Sequence, residues 1–340
     1  MPSRRRGLSF LALVTVVAAG CARIEVSSPL PEYMRALAAA AEETVDPASR
    51  FVPPAYPDAS QRRLPEADIR IGVGRFLDLK TCGLRRLVAE RNSALGRMES
   101  DGIRLVYEHA LLTGLARCLA MLEQSGDEPA LAEAIEDALR AKQAAAGGTL
   151  WNATLGSPEL AGAYRVSGPA LDPTRPDPEP VAALRGLAAA ARGFGRPDVL
   201  LERNAHVGNL RVLERSGHGG RLAKALGRAT ENLRQASRHV RAVPCDGGRR
   251  DDLDTARQRF EHGDVGRWLE ALVESARQWH QALDDLLAAQ RASPPPEFLR
   301  YHAQVMDTDN AQGLGPALLA AIAEHRTAWR DADACSATEG

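Results

Sequence analysis

The 340-residue chain is poor in aromatics, at 4%, and has only three lysines, Lys80, Lys142 and Lys224, so nearly all of its positive charge is arginine. With Lys+Arg 43 against Asp+Glu 44, the formal net charge is −1, which gives no global electrostatic case for nucleic-acid binding, and none is expected. No stretch alternates apolar and polar residues with period two, so a sheet-based core is excluded. The eight histidines, His109, His206, His218, His239, His262, His280, His302 and His325, include no HExxH and no i,i+4 pair, so no metal site is expected. What the chain does have is 44% hydrophobic and 26% charged residues, enough for one large or two ordinary cored domains.

The N-terminus reads as an address. Arg4, Arg5 and Arg6 precede an apolar run from Leu8 to Ala19, and Ala18-Ala19-Gly20-Cys21 follows as a small-residue cleavage site. The run is well short of the ~20 residues that span a bilayer as a helix, so a secretory leader over residues 1–21 is expected rather than a permanent span. A cysteine directly after small residues matches a lipobox, in which Cys21 is acylated and becomes the first mature residue. Ala18 stands where such motifs most often carry Leu. Several acyl chains, at ~0.8 kcal/mol per buried CH₂, would hold the protein to a membrane without help from its polypeptide. Ala22 after the cysteine, in place of Asp, fits the outer rather than the inner membrane of a bacterial envelope. Without residues 1–21 the remainder has 40 basic and 44 acidic residues, a mildly acidic periplasmic body.

The mature chain reads as all-α, a bundle of about ten helices. Helices are expected over 32–44, 69–92, 101–124 and 127–145, with a short one after Ser157-Pro158. Further helices are expected near 181–192, 198–214, 221–242, 251–262, 264–290, 297–306 and 315–332. Ile103, Tyr107, Leu111, Leu115, Cys118 and Leu122 form the cleanest amphipathic stripe. Gly147-Gly148 is the expected stop of the fourth helix, and Ser216-Gly217-His218-Gly219-Gly220 an inter-helix loop. The Pro-rich segment 167–180 connects an N-terminal half, 22–166, to a C-terminal half, 181–340, either as two domains or as one continuous one.

Five cysteines in an exported chain leave one over, and lipidation of Cys21 accounts for it. In an oxidising compartment the remaining four are expected to form two disulfides, out of three possible pairings. Cys82 and Cys118 are equidistant from residue 100, so a helical hairpin turning there brings them face to face. A turn near residue 96 would instead offset them by about 12 Å at about 1.5 Å per residue. Cys245 then pairs with Cys335 by elimination.

The stretch from Ile71, IGVGRFLDLKTCGLRRLVAERNSALGRM, then YEHALLTGLARC up to Cys118, together with Leu150-Trp151-Asn152-Ala153-Thr154-Leu155-Gly156, resembles a family of proteobacterial lipoproteins catalogued as domain of unknown function thirty-eighty. Its most specific part is Glu90-Arg91-Asn92-Ser93 followed by Leu95-Gly96. The resemblance covers most of the mature chain, thinning after residue 181 to Gly219-Gly220-Arg221-Leu222 and the Cys245 region. It implies a lipoprotein and supports the Cys82–Cys118 pair, and it implies no chemistry because the family has no assigned activity.

Two clusters are candidates for a ligand site. Glu90, Arg91 and Asn92 would set a carboxylate, a guanidinium and an amide around a ligand at a helix end; the plainer reading is local ion pairing and helix capping. Trp151 and Asn152 lie between Gly148 and Gly156, where a tryptophan either faces a ligand or plugs the core with Asn152 satisfying nearby backbone. Gly72-Val73-Gly74 lacks the third glycine and the preceding strand of a phosphate loop, and the Ser216–Gly220 turn lacks a nucleophile elbow, so no catalytic residue and no cofactor is indicated. The expected function is a non-catalytic, outer-membrane-anchored periplasmic lipoprotein that binds an envelope protein or a small ligand. The alternative is a helical envelope hydrolase or lyase with its site around Glu90, Arg91 and Trp151, which requires those side chains to converge.

Overall fold

A computed structural model describes residues 28–44, 51–65, 80–243 and 250–337, and among them are helices and no strands, so the chain is all-α. The expected leader over residues 1–21 with Cys21, Gly72-Val73-Gly74 and Cys245 lie outside the described residues. Pro31 in the first turn starts α1 (Leu30–Ala40), which buries Leu30, Tyr33, Met34 and Leu37 along one stripe. After the proline-rich crossing comes α2 (Ala59–Arg62), a single turn. Next are α3 (Arg85–Asn92), α4 (Ala94–Arg97) and the long α5 (Asp101–Ser125), which returns against α6 (Pro129–Asn152).

α6 runs seven residues beyond its expected end because the two glycines inside it are points of close approach rather than a stop. A Cβ on Gly147 would stand 3.1 Å from the Ala292 Cβ, and one on Gly148 would stand 3.3 Å from the Pro65 carbonyl oxygen. The cost of glycine in a helix, roughly 1 kcal/mol each, is offset by the packing that their missing side chains allow. Ser157 then caps α7 (Pro158–Ala163) by accepting the Leu160 N–H at 3.1 Å.

Beyond the Pro-rich segment lie α8 (Glu179–Gly193), α9 (Arg203–Ser216), α10 (His218–Ala242), α11 (Arg250–Glu261), α12 (Asp264–Ala288) and α13 (Pro296–Tyr301). A π-type turn, His302–Met306, follows, and then α14 (Leu314–Ala337). The expected loop at 216–220 is a single residue, Gly217 at φ 54°, with His218, Gly219 and Gly220 already helical. α10 and α14 form the most extensive pair, with α1 laid on α10 and α11. α9 packs on α5, α7 and α8, so side chains from both sides of the Pro-rich segment share the larger hydrophobic core.

α5 is buried on more than its predicted stripe. Leu111, Leu115, Cys118 and Leu122 face a smaller cluster with Leu84, Val88, Leu131 and Ile135, while Leu105 and Leu112 face the main core. Among the described residues it is the one helix long and apolar enough to cross a membrane by composition, and 56% of that window is buried inside the protein. Cys82 and Cys118 form a disulfide with Cα atoms 5.2 Å apart, tying the chain before α3 to α5. Two disulfides were expected, and this is the one found among the described residues; the proposed Cys245–Cys335 pair cannot be followed there because Cys245 lies outside them.

At the centre, α1, α10 and α14 are joined by a run of buried polar groups. Trp329 Nε1–H donates to the Tyr33 hydroxyl at 3.2 Å, Tyr33 donates to His325 Nε2 at 2.5 Å, His325 Nδ1–H donates to Ser237 Oγ at 3.0 Å, and Ser237 donates to the Leu233 carbonyl at 2.8 Å. This direction of donation satisfies every member with a neutral imidazole, and burial holds His325 down at about 3.

Candidate functional site

The first predicted cluster does not assemble around a ligand. Glu90 is exposed and pairs with Arg86 at 2.8 Å one turn earlier, the arrangement of an ordinary solvated i,i+4 pair. Arg91 donates from Nη1 to the Gly96 carbonyl, and Asn92 is exposed at the last position of α3. Ser93 bridges the two helices: its hydroxyl donates to the Glu90 carbonyl at 2.7 Å and accepts the Gly96 N–H at 3.0 Å. A Cβ on Gly96 would stand 2.2 Å from the Glu90 carbonyl oxygen, so only glycine fits. The run Glu90-Arg91-Asn92-Ser93 with Gly96 is thus a tight helix-to-helix corner.

The second cluster sits elsewhere, in the main core, and it holds backbone. Trp151 is fully buried and its indole N–H donates to the Arg62 carbonyl at 2.7 Å. Asn152 accepts the Leu64 N–H on Oδ1 and donates from Nδ2 to the Leu64 carbonyl, both at 2.8 Å. The side chain thus pairs with Leu64 as a neighbouring strand would, in a stretch with no strand to do it. Glu90, Arg91 and Asn92 therefore do not meet Trp151 and Asn152, and the convergence that the catalytic alternative requires is absent.

Following the backbone that Trp151 and Asn152 hold leads to Arg62, which sequence reasoning passed over. It is 8% exposed, donating from Nε to the Gly156 carbonyl at 3.1 Å and from Nη1 to the Pro57 carbonyl at 3.0 Å. Both acceptors are neutral, and no carboxylate among the described residues pairs with it. Arg62 forms one wall of an open cleft of about 370 Å³ whose other walls include Tyr56, Tyr164, Arg165 and Val166, with Asp58 at its edge. The one signal in the sequence was an arginine following a proline-rich crossing, which is too common to single out.

The wall behind the cleft collects much of the chain's sparse aromatic content. Tyr56 and Tyr164 stack with centroids 5.2 Å apart, Tyr301 meets both edge-on at 5.0 and 5.6 Å, and Trp151 meets Phe298 edge-on at 4.9 Å. The Tyr56 hydroxyl donates to the Leu155 carbonyl at 2.7 Å, and Trp279 Nε1–H donates to the Tyr164 hydroxyl at 2.9 Å. Burial pushes both phenols well above their ordinary range, so they stay protonated and serve as packing and hydrogen-bonding groups. No histidine, cysteine or serine is among the described residues that line the cleft. The charged groups it presents are one buried, hydrogen-bonded guanidinium, Arg62, one exposed guanidinium, Arg165, and the Asp58 carboxylate, beside aromatic surface.

A larger groove of about 670 Å³ runs between α11, α12 and α14 over Phe260, Leu269, Ile322 and Trp329. Of the charged groups in its lining, Arg257 is paired with Glu261 at 2.9 Å and with Asp333 at 2.5 Å, and Glu274 with Arg277 at 2.7 Å. The Ser237–His325 pair is fully buried, with both partners engaged in the central network. No cluster of three or more metal-ligating side chains occurs among the described residues.

Comparison with known proteins found no match among curated proteins and none among solved structures. The model of a family described as protein of unknown function (DUF3080) matches residues 30–335, most of the chain, and the chain therefore belongs to that family.

Proposed function

We propose that this protein is a lipid-anchored binding protein of the bacterial envelope, tethered through Cys21 to the inner leaflet of the outer membrane, its body in the periplasm, and that it takes a small ligand in the Arg62 cleft. The observation that carries the binding reading is the cleft itself. It is open to solvent, a buried guanidinium is fixed in its wall by two hydrogen bonds, and the aromatic cluster makes that wall rigid. Pre-organised groups of this kind lose little entropy on binding. The anchor rests on the leader sequence: the arginine-rich start, the apolar run and the small residues before Cys21. Confinement to a surface raises the effective concentration of membrane-borne partners, so modest affinity suffices.

The test is metabolic labelling with palmitate in a proteobacterial host, combined with density separation of the two membranes. The wild-type chain is expected to take up label and travel with the outer membrane, and Cys21→Ala is expected to take up none. Label on the Cys21→Ala chain, or wild-type protein without label in the soluble periplasm, would refute the anchor.

A further inference from the structure

The cleft contains two guanidinium groups and one carboxylate. Arg62 is more than nine-tenths buried and has only carbonyl acceptors, from Pro57 and Gly156, which offer partial charge. Its third nitrogen, Nη2, bonds to no described group and is not sealed from solvent. Arg165 stands exposed on the same cleft, and no carboxylate among the described residues pairs with it. Asp58, exposed at the start of α2, is the one acidic residue of the lining. Removing a guanidinium from water without a counter-ion costs several kcal/mol, and Nη2, held in place by the two carbonyl bonds to its neighbours, keeps its N–H donors for an oxygen of an anionic group.

We infer that the cleft between Arg62 and Arg165 is a binding site for an oxyanion, a carboxylate or phosphate group carried by the ligand. The bound group accepts from Nη2 of Arg62 on the inner side and from Arg165 on the outer. The Tyr56–Tyr164 face and Val166 leave room for an apolar or ring-shaped remainder. Trp151 and Asn152 act as positioning residues, because they hold the backbone on either side of Arg62 through the Arg62 carbonyl and through Leu64. This inference rests on the binding reading above and adds the charge and class of the ligand.

The experiment is arginine modification of the full lipidated chain in neutral detergent with phenylglyoxal, read site by site by mass spectrometry. Inorganic phosphate, acetate and a neutral sugar serve as separate protecting probes, and exposed Arg326 on α14 serves as the internal control. With an anion at ten times its dissociation constant, modification of Arg165 is expected to slow about tenfold, saturably, with Arg326 unchanged. Protection by phosphate alone marks a phosphate-bearing ligand, and protection by acetate marks a carboxylate. Arg62→Lys, which keeps the charge and gives up the planar fork, is expected to weaken that protection at least threefold. An equal slowing of Arg165 and Arg326 would overturn the oxyanion site. Protection of Arg165 by the sugar and by neither anion would overturn it too while leaving the ligand-binding cleft standing, and no protection by any probe would count against both.

Discussion

Asn152 and Leu64 are paired as two strand residues would be, the side-chain amide of one meeting both the N–H and the carbonyl of the other at 2.8 Å. Since Asn152 is 1% exposed, Asn152→Ala strands two backbone groups at once. The expected loss is about 2–3 kcal/mol of unfolding free energy, from urea titration, and the Leu64 amide should lose most of its hydrogen-exchange protection. Asn152→Asp keeps an acceptor for the Leu64 N–H but faces the Leu64 carbonyl with a second oxygen, so it should be no milder. Unchanged Leu64 exchange in Asn152→Ala would show that this segment is held by something else.

The corner between α3 and α4 makes a different kind of demand. Gly96→Ala puts a methyl group on the Glu90 carbonyl oxygen, and neither backbone can yield without opening the Ser93 cap. A loss of about 1–3 kcal/mol is expected. Glu90→Ala, which removes only an exposed pair with Arg86, should change stability by less than about 0.5 kcal/mol. If Glu90→Ala proved the more damaging of the two, the reading of this run as a structural corner would be wrong.

These residues show where the sequence was legible. Helical periods placed α5, α8 and α11 to within a few residues, because a buried apolar stripe is written directly in spacing. The fate of Gly147-Gly148 was not, because a glycine that ends a helix and one that admits a neighbour look the same until Ala292 and Pro65 are seen against it. The two-sided burial of α5 was hidden for a similar reason: period 3.6 reports one face, and Leu105 and Leu112 belong to another. Of the candidate site, the reading of Trp151 as a core plug with Asn152 satisfying backbone stood beside the ligand reading, but which backbone was not legible, since the partners, at Arg62 and Leu64, lie some 90 residues earlier in the chain. Arg62 was missed because what distinguishes it is burial without a counter-ion, a property of the fold.

Four buried histidines make the fold sensitive to acid. Desolvation lowers His206, His218 and His280 to about 4 and His325 to about 3, against 6.5 for an exposed imidazole. Between those values the unfolded chain binds more protons than the folded one. Stability is therefore full above about pH 6.5 and falls as pH drops toward 4, at about 1.4 kcal/mol per pH unit for each histidine. His206 has no hydrogen-bond partner on either ring nitrogen among the described residues, so His206→Leu should hold or raise stability at pH 7 and remove one proton from the acid slope. His325→Phe should remove a proton as well but lower stability at pH 7, because it takes away the acceptor of the buried Tyr33 hydroxyl and the donor to Ser237. Urea titrations from pH 4 to 8 check both; a slope unchanged by His206→Leu would contradict the assignment.

The Cys82–Cys118 bridge closes a loop with a sequence separation of 36. Chain-entropy arithmetic for a loop of that size gives about 3–4 kcal/mol of stabilisation. Replacing both cysteines with serine should lower unfolding free energy by that order and loosen chiefly the small cluster of Leu84, Val88, Leu115 and Leu122. The main core around Tyr33 and Trp279 should keep its exchange protection. Equal loosening of both clusters would mean that they unfold as one unit.

The account stands most directly on whether the Arg62 cleft is occupied in the cell. A photo-crosslinking benzoylphenylalanine at Val166, on the cleft wall, would be activated in intact bacteria, and the adducts compared with those from the same residue at Leu95, which is 81% exposed on α4. The account predicts an adduct of discrete mass at 166, absent at 95 and lost when Arg165→Ala is added. No adduct at 166, or the same adducts at both positions, would contradict it.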